Sequence, residues 1–155
     1  MIKTSCPTSI VDAPLGVVWM LLTEPAGWAD FLDIRISRID PLGHAVVGQT
    51  IYAESGPRAL HLGVTLRYTE IDSERWTIGL RVQLPLRITV REHLTCAALN
   101  DTQCRVNYQC NFSLPTGWRG AAARTLFRRE IEHGPANSLS RLRGAAESHF
   151  RGRAR

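Results

Sequence analysis

The sequence predicts an α+β fold in which an antiparallel sheet of seven strands lays one face against a long C-terminal helix. From Trp76 to Leu114 nearly every even-numbered residue is apolar and nearly every odd-numbered one is polar. A period of two places these sets on opposite faces of a strand, one toward a core and one toward water. After Trp118 the apolar residues recur at helical spacing, with Leu126, Phe127, Ile131, Ala136, Leu139, Leu142, Ala146 and Phe150 on one stripe.

The elements follow in order. Thr4 to Val11 can form a first strand, and Asp12 then stands where a helix needs a cap, with Pro14 in a first turn that loses nothing by a missing N–H. Val17, Val18, Leu21 and Leu22 form the inner side of that helix, with Trp19 on or beside it. Pro25 opens a second short helix carrying Trp28, Phe31 and Leu32. Gly43 and Gly48 punctuate the return to sheet, with strands at Ile34 to Asp40, Val46 to Glu54 and Leu60 to Ile71 ahead of the three alternating ones. In the last helix Gly134 and Pro135 interrupt the pattern. A proline there removes a backbone hydrogen bond and clashes with the preceding turn, so a kink or break is expected near His133.

A chain of 155 residues with 44% apolar composition can bury about 70% of its unfolded surface in one domain, without staples. That domain is expected over residues 1–150, with a basic tail at 151–155. Met1 to Ile10 lacks the apolar core of a secretory leader, and the longest apolar run, Val17 to Leu22, is far short of the ~20 residues that span a bilayer. A cytoplasmic protein with no transmembrane segment is therefore expected. The net charge of +5 is uneven: from Thr116 onward nine arginines face only Glu130, Glu132 and Glu147. Such asymmetry is compatible with an anionic partner. However, Arg124, Arg128 and Arg129 fall on the outward side of a helix without interleaved aromatics, so no nucleic-acid partner is expected.

Of the four cysteines, Cys104 and Cys110 share a strand, and at ~3.4 Å per residue they stand ~20 Å apart, too far to bind one metal. Cys96 could face Cys104 across a hairpin, yet a small buried thiol is the commoner role for a cysteine on an apolar strand face. His44, His61, His93, His133 and His149 show neither HxH nor HExxH spacing. No metal site is expected. The GxSxG, GxxxxGK[ST] and GxGxxG patterns are absent, which removes hydrolase-elbow, P-loop and dinucleotide-binding readings.

The order strand, two helices, six strands, long helix has a known counterpart. The segment Ser9-Ile-Val-Asp-Ala-Pro-Leu-Gly-Val-Val-Trp19, then Trp28 with Phe31, and Phe112-Ser-Leu-Pro-Thr-Gly-Trp-Arg-Gly120 resemble the START/SRPBCC superfamily, in particular its polyketide cyclase/dehydrase branch. The resemblance covers essentially the whole chain. It implies a helix-grip fold, in which a strongly curved sheet wraps the C-terminal helix and leaves an apolar cavity between them. It also implies a hydrophobic small-molecule partner such as a lipid, quinone or polyketide, and no cofactor. Some members use the cavity for ring closure and dehydration, others only to bind, and others as interaction modules. The fold narrows the ligand class without naming the reaction.

With even positions facing inward, the cavity wall is Leu80, Val82, Ile88, Val90, Leu94, Val106 and Phe112 from the sheet, with Phe127 and Ile131 from the helix. Trp28 and Phe31 are placed at its mouth. The polar groups on that face are Tyr68, Glu92, Tyr108 and thiols such as Cys110. An apolar pocket with a few placed polar groups suits a hydrophobic ligand. Glu92 is the one formal charge in the row, and hairpin pairing puts it opposite Tyr108 or Cys110. A desolvated carboxyl there can exchange protons with an enolising or dehydrating substrate while Tyr108 donates to its carbonyl. Alternatively, a β-bulge turns Glu92 outward, or Arg67 or Arg91 pairs with it for structure. The sequence leaves ligand identity, turnover and oligomeric state open.

Overall fold

The computed structural model describes residues 2–55 and 62–153. Cys6 and Pro7 divide the expected first strand into β1 (Ile2–Ser5) and β2 (Thr8–Val11), both antiparallel to the last strand, β8 (Gln103–Ser113). The proline can donate no ladder bond. Its carbonyl still accepts from the Tyr108 N–H at 2.9 Å, so both halves stay on one edge. The helix α1 (Leu15–Thr23) follows, then a 3₁₀ segment at Pro25–Asp30.

Asp12 does not cap α1. Pro14, two residues later, holds the cap position, and no side chain caps the helix. Instead, the Asp12 carboxylate accepts from Gln103 Nε2 at 2.7 Å and its backbone N–H donates to Glu147 at 3.1 Å.

The remaining strands are β3 (Ile34–Asp40), β4 (Thr50–Ser55), β5 (Leu62–Asp72), β6 (Thr77–Leu84) and β7 (Ile88–Asn100). All pairings are antiparallel and the order is β1-β8-β7-β6-β5-β4-β3, with β2 beside β1 on β8. Eight strands thus fill the seven expected positions. β4 begins later than the expected Val46, because the loop before it is held by the buried Gln49. Its Nε2 donates to the carbonyls of Pro41 and Gly43 at 2.7 and 3.1 Å. Val46 and Val47 are left exposed. Leu60 and His61, where the next strand was expected to start, lie outside the described residues.

Even residues of β6, β7 and β8 meet one another on a shared inner face: Ile78 with Leu94, Val82 with Val90, Val90 with Phe112, Cys96 with Val106. The exceptions are local. Leu86 is exposed in the 3₁₀ turn at Pro85–Arg87, where its φ is +61°, and Ala98 is exposed near the hairpin end of β7. A bulge between Tyr68 and Glu70 shifts the phase of β5, so Tyr68 faces inward while Ile71 pairs with Ile78.

The C-terminal helix is interrupted earlier than expected, at Phe127 rather than near His133. Helix α2 (Gly117–Leu126) ends at Phe127 and α3 (Arg128–Arg153) runs on through the buried Pro135. The expected break near His133 is therefore replaced by one at Phe127. The Pro115-x-Gly117-x-x-Gly120 segment explains the tight entry: Gly117 has φ +70°, and a Cβ on Gly120 would lie 2.0 Å from the Pro115 carbonyl oxygen. Restarting the helix after Phe127 changes its phase, so Leu126 and Ala136 point outward. The buried side of α3 is Ile131, Pro135, Leu139, Leu142 and Ala146. It packs against α1, β2 and β8. Residues 151–153 of the expected tail continue α3, and 154–155 lie outside the described residues. Trp118 is exposed on α2, whereas Trp19 and Trp76 stack edge to face at 5.2 Å.

Candidate functional site

Between the inner face of the sheet and α3 lies a cavity of about 60 Å³. β5, β6 and β7 contribute Leu66, Leu80 and Leu94, and α3 contributes Ser138, Leu139 and Leu142. Leu22, Trp28, Phe31 and Leu32 close it from α1 and the 3₁₀ segment. These positions follow from period two in the strands and from the 3.6-residue period of α3, which brings Leu139 and Leu142 to one side. Each buried leucine contributes ~1.5–3 kcal/mol by leaving water, so the wall is also core.

Three polar side chains border this apolar space: Glu92, Tyr108 and Ser138. Glu92 pairs across the ladder with Cys110, and Tyr108 sits one inward rung along, opposite Leu94. Glu92 is half-buried, and it borders the cavity. Burial pushes its carboxyl up to about 7, against a smaller lowering by its hydrogen bond with Tyr108. The Tyr108 hydroxyl is raised well above its ordinary value, first by burial and then by the neighbouring Glu92. A carboxyl poised near neutrality beside a phenol that stays protonated can hold or move one proton. Neither Arg67 nor Arg91 pairs with Glu92, because both arginines lie on the opposite face of the sheet.

The side chains expected to bind ligand divide into two groups. Trp28, Phe31, Leu80 and Leu94 reach the cavity together with Glu92 and Tyr108. Val82, Ile88, Val90, Val106 and Phe112 face inward but are buried beyond its wall, as are Phe127 and Ile131. Tyr68 is fully buried, and its hydroxyl donates to the Leu22 carbonyl at 2.6 Å. Its ring lies 5.6 Å from that of Trp28, whose Nε1 donates to the Leu21 carbonyl at 3.0 Å. The Tyr68 bond ties the end of α1 to the sheet, and the Trp28 bond ties the 3₁₀ segment to α1. Cys110 is a buried free thiol raised chiefly by burial and then by Glu92. Cys96 and Cys104 are likewise free and buried, on adjacent rungs rather than face to face.

Leu22, Leu32, Leu66, Ser138 and Leu142 line the cavity without having been singled out for it. Leu66 carried the even-parity signal, and Leu142 lay on the helical stripe. Ser138 carried none, since one serine beside Leu139 looks like any polar helix position. Among the described residues no cluster of three or more His, Cys, Asp or Glu side chains is placed to hold a metal ion. No helix among them is long and apolar enough to cross a membrane.

No family model matches the chain, and no curated protein sequence matches it. Solved structures do. An aromatase/cyclase, Zhui, from Streptomyces sp. R1128 superposes with a TM-score of 0.77 at 19% identity, covering 95% of this chain and 94% of its own. Norcoclaurine synthase from Thalictrum flavum, solved with dopamine and hydroxybenzaldehyde, gives 0.71 at 12% identity over 96% and 88%. Ara h 8.0201 gives 0.70 at 12% identity over 96% and 99%. Sheet order, helix placement and these likenesses define a protein with the helix-grip fold. This is the fold that the sequence resemblance implied.

Proposed function

We propose that the protein binds a hydrophobic small molecule in the cavity between the sheet and α3, with one polar group of that molecule held by Glu92 and Tyr108. The observation that carries this is a space walled by leucines and aromatics into which a single ionisable pair projects. A cavity of about 60 Å³ is much smaller than the roughly 300–1,000 Å³ of small-molecule pockets. A lipid, quinone or polyketide therefore enters by displacing the half-buried Phe31 and Leu32. Neighbours named as an aromatase/cyclase, or solved with aromatic molecules bound, support a ligand of this class.

Native mass spectrometry of freshly purified protein, followed by organic extraction, tests the proposal. A retained lipid, quinone or aromatic polyketide is expected, with Leu142→Trp abolishing retention while the fold persists. A protein that is empty and binds no hydrophobic fluorophore overturns it.

A second reading is a cofactor-independent cyclase or dehydratase, favoured by the Glu92 carboxyl lying near 7 beside Tyr108. In such a reaction the Glu92 carboxylate takes a proton from carbon adjacent to a substrate carbonyl, and the Tyr108 hydroxyl donates to that oxygen. Glu92→Gln separates the two: an enzyme loses turnover by ~10² or more, whereas a binder keeps its affinity within a few-fold.

A further inference from the structure

The outer face of the sheet carries a second feature, a groove that shares Leu80 and Glu92 with the cavity lining. Arg67, Arg81 and Arg91 occupy three successive cross-strand positions on β5, β6 and β7. All three are exposed, and among the described residues none forms an ion pair or hydrogen bond. Like charges directly opposite on a sheet repel. At ~4.8 Å between strands the row extends ~10 Å.

Arg81 and Arg91 stand in a groove of about 570 Å³ that also takes in Glu70, His93, Gln109 and Asn111. The bulge at Thr69 builds one wall: a Cβ on Gly79 would lie 2.8 Å from Thr69 Oγ1, so any side chain there would have to displace that hydroxyl. Asn111 follows Arg91 on the same rung, and its Oδ1 already accepts from Thr4 Oγ1 at 2.8 Å. Its amide Nδ2 is thereby turned out as a donor. Two carboxyl-bearing residues line the groove: Glu70, whose carboxylate lies 3.8 Å from His93 Nδ1, and Glu92, which also borders the cavity. The groove therefore offers two guanidinium forks and an amide donor, and a third guanidinium flanks it.

We propose that this groove binds a small oligophosphate, whose linked phosphates run along the arginine row. Guanidinium groups pair with phosphate oxygens in a bidentate manner, and the row matches several adjacent anionic groups better than one.

Isothermal titration of the full chain with inorganic tripolyphosphate at low ionic strength tests this. One-to-one binding is expected, tighter than for orthophosphate. Arg81→Gln/Arg91→Gln should weaken it at least tenfold, and Arg81→Lys/Arg91→Lys should weaken it by less. Arg105→Gln, on the same face but outside the groove, should change it by less than twofold. The ligand-free melting temperature of the double glutamine variant should be unchanged or higher, because mutual repulsion is relieved. Absence of tripolyphosphate binding overturns the proposal, as does equal weakening by Arg105→Gln, which would mean only a diffuse positive surface.

Discussion

Glu92 and Tyr108 project from neighbouring strands, one inward rung apart, and share a hydrogen bond at the wall of an otherwise apolar cavity. The carboxyl is held up to about 7 by burial, so its charge comes and goes near neutrality. In the unfolded chain it would titrate near the ordinary glutamate value of 4.5.

That difference makes stability depend on pH. The folded state holds the proton across the interval from about 4.5 to about 7, so Glu92 favours folding most below that interval. Its contribution falls as pH rises and levels off above 7. Glu92→Gln should remove this slope and be more stable than the parent at pH 8 by about 1–3 kcal/mol, allowing for partial solvent access. Urea denaturation from pH 5 to 8 measures it, and parallel curves for the two proteins would count against a protonated Glu92.

Tyr68→Phe removes the donor that satisfies the Leu22 carbonyl at 2.6 Å while leaving the ring in place. A buried acceptor without a partner costs ~1–3 kcal/mol. The midpoint of chemical denaturation should fall accordingly, with the far-ultraviolet circular dichroism of the folded state unchanged.

Gly120→Ala places a methyl group 2.0 Å from the Pro115 carbonyl oxygen, a backbone atom that cannot simply swing aside. The start of α2 must shift. A loss of ~1–3 kcal/mol is expected from such overpacking, despite alanine's better helix propensity. Gly144→Ala, where a Cβ meets nothing within 4 Å, should be neutral or stabilising and serves as its control.

Leu142→Ala enlarges the cavity from the helix side. The cost should be ~2–5 kcal/mol. The same variant should bind a hydrophobic fluorophore more strongly than the parent, if the enlarged space remains continuous with the one lined by Leu80, Leu94 and Glu92. Equilibrium unfolding and a dye titration check the two effects separately.

The strands after Trp76 were legible because alternation is a local property of the chain: Ile78, Val82, Val90 and Phe112 needed no partner to declare their face. The placement of Trp28, Phe31, Leu80, Leu94, Glu92 and Tyr108 at one cavity also followed from parity and element order. What parity could not separate was lining from core. Val106 and Leu94 carry the same signal, yet only Leu94 meets empty space, because cavity depth depends on how α3 crosses the sheet. Similarly, the arginines 67, 81 and 91 look like scattered outward charges until strand register aligns them.

The sequence by itself determined the fold class, the inward face of the later strands and the apolar side of the last helix, because these follow from residue periodicity and local backbone preference. Tertiary structure alone decided where that helix breaks, since Pro135 is accommodated within α3 while the interruption lies at Phe127, beyond the tight contact of Gly120 with Pro115. It also decided which inward residues border the cavity and which groups share a proton. Those outcomes depend on contacts between residues far apart in the chain, which no local pattern encodes.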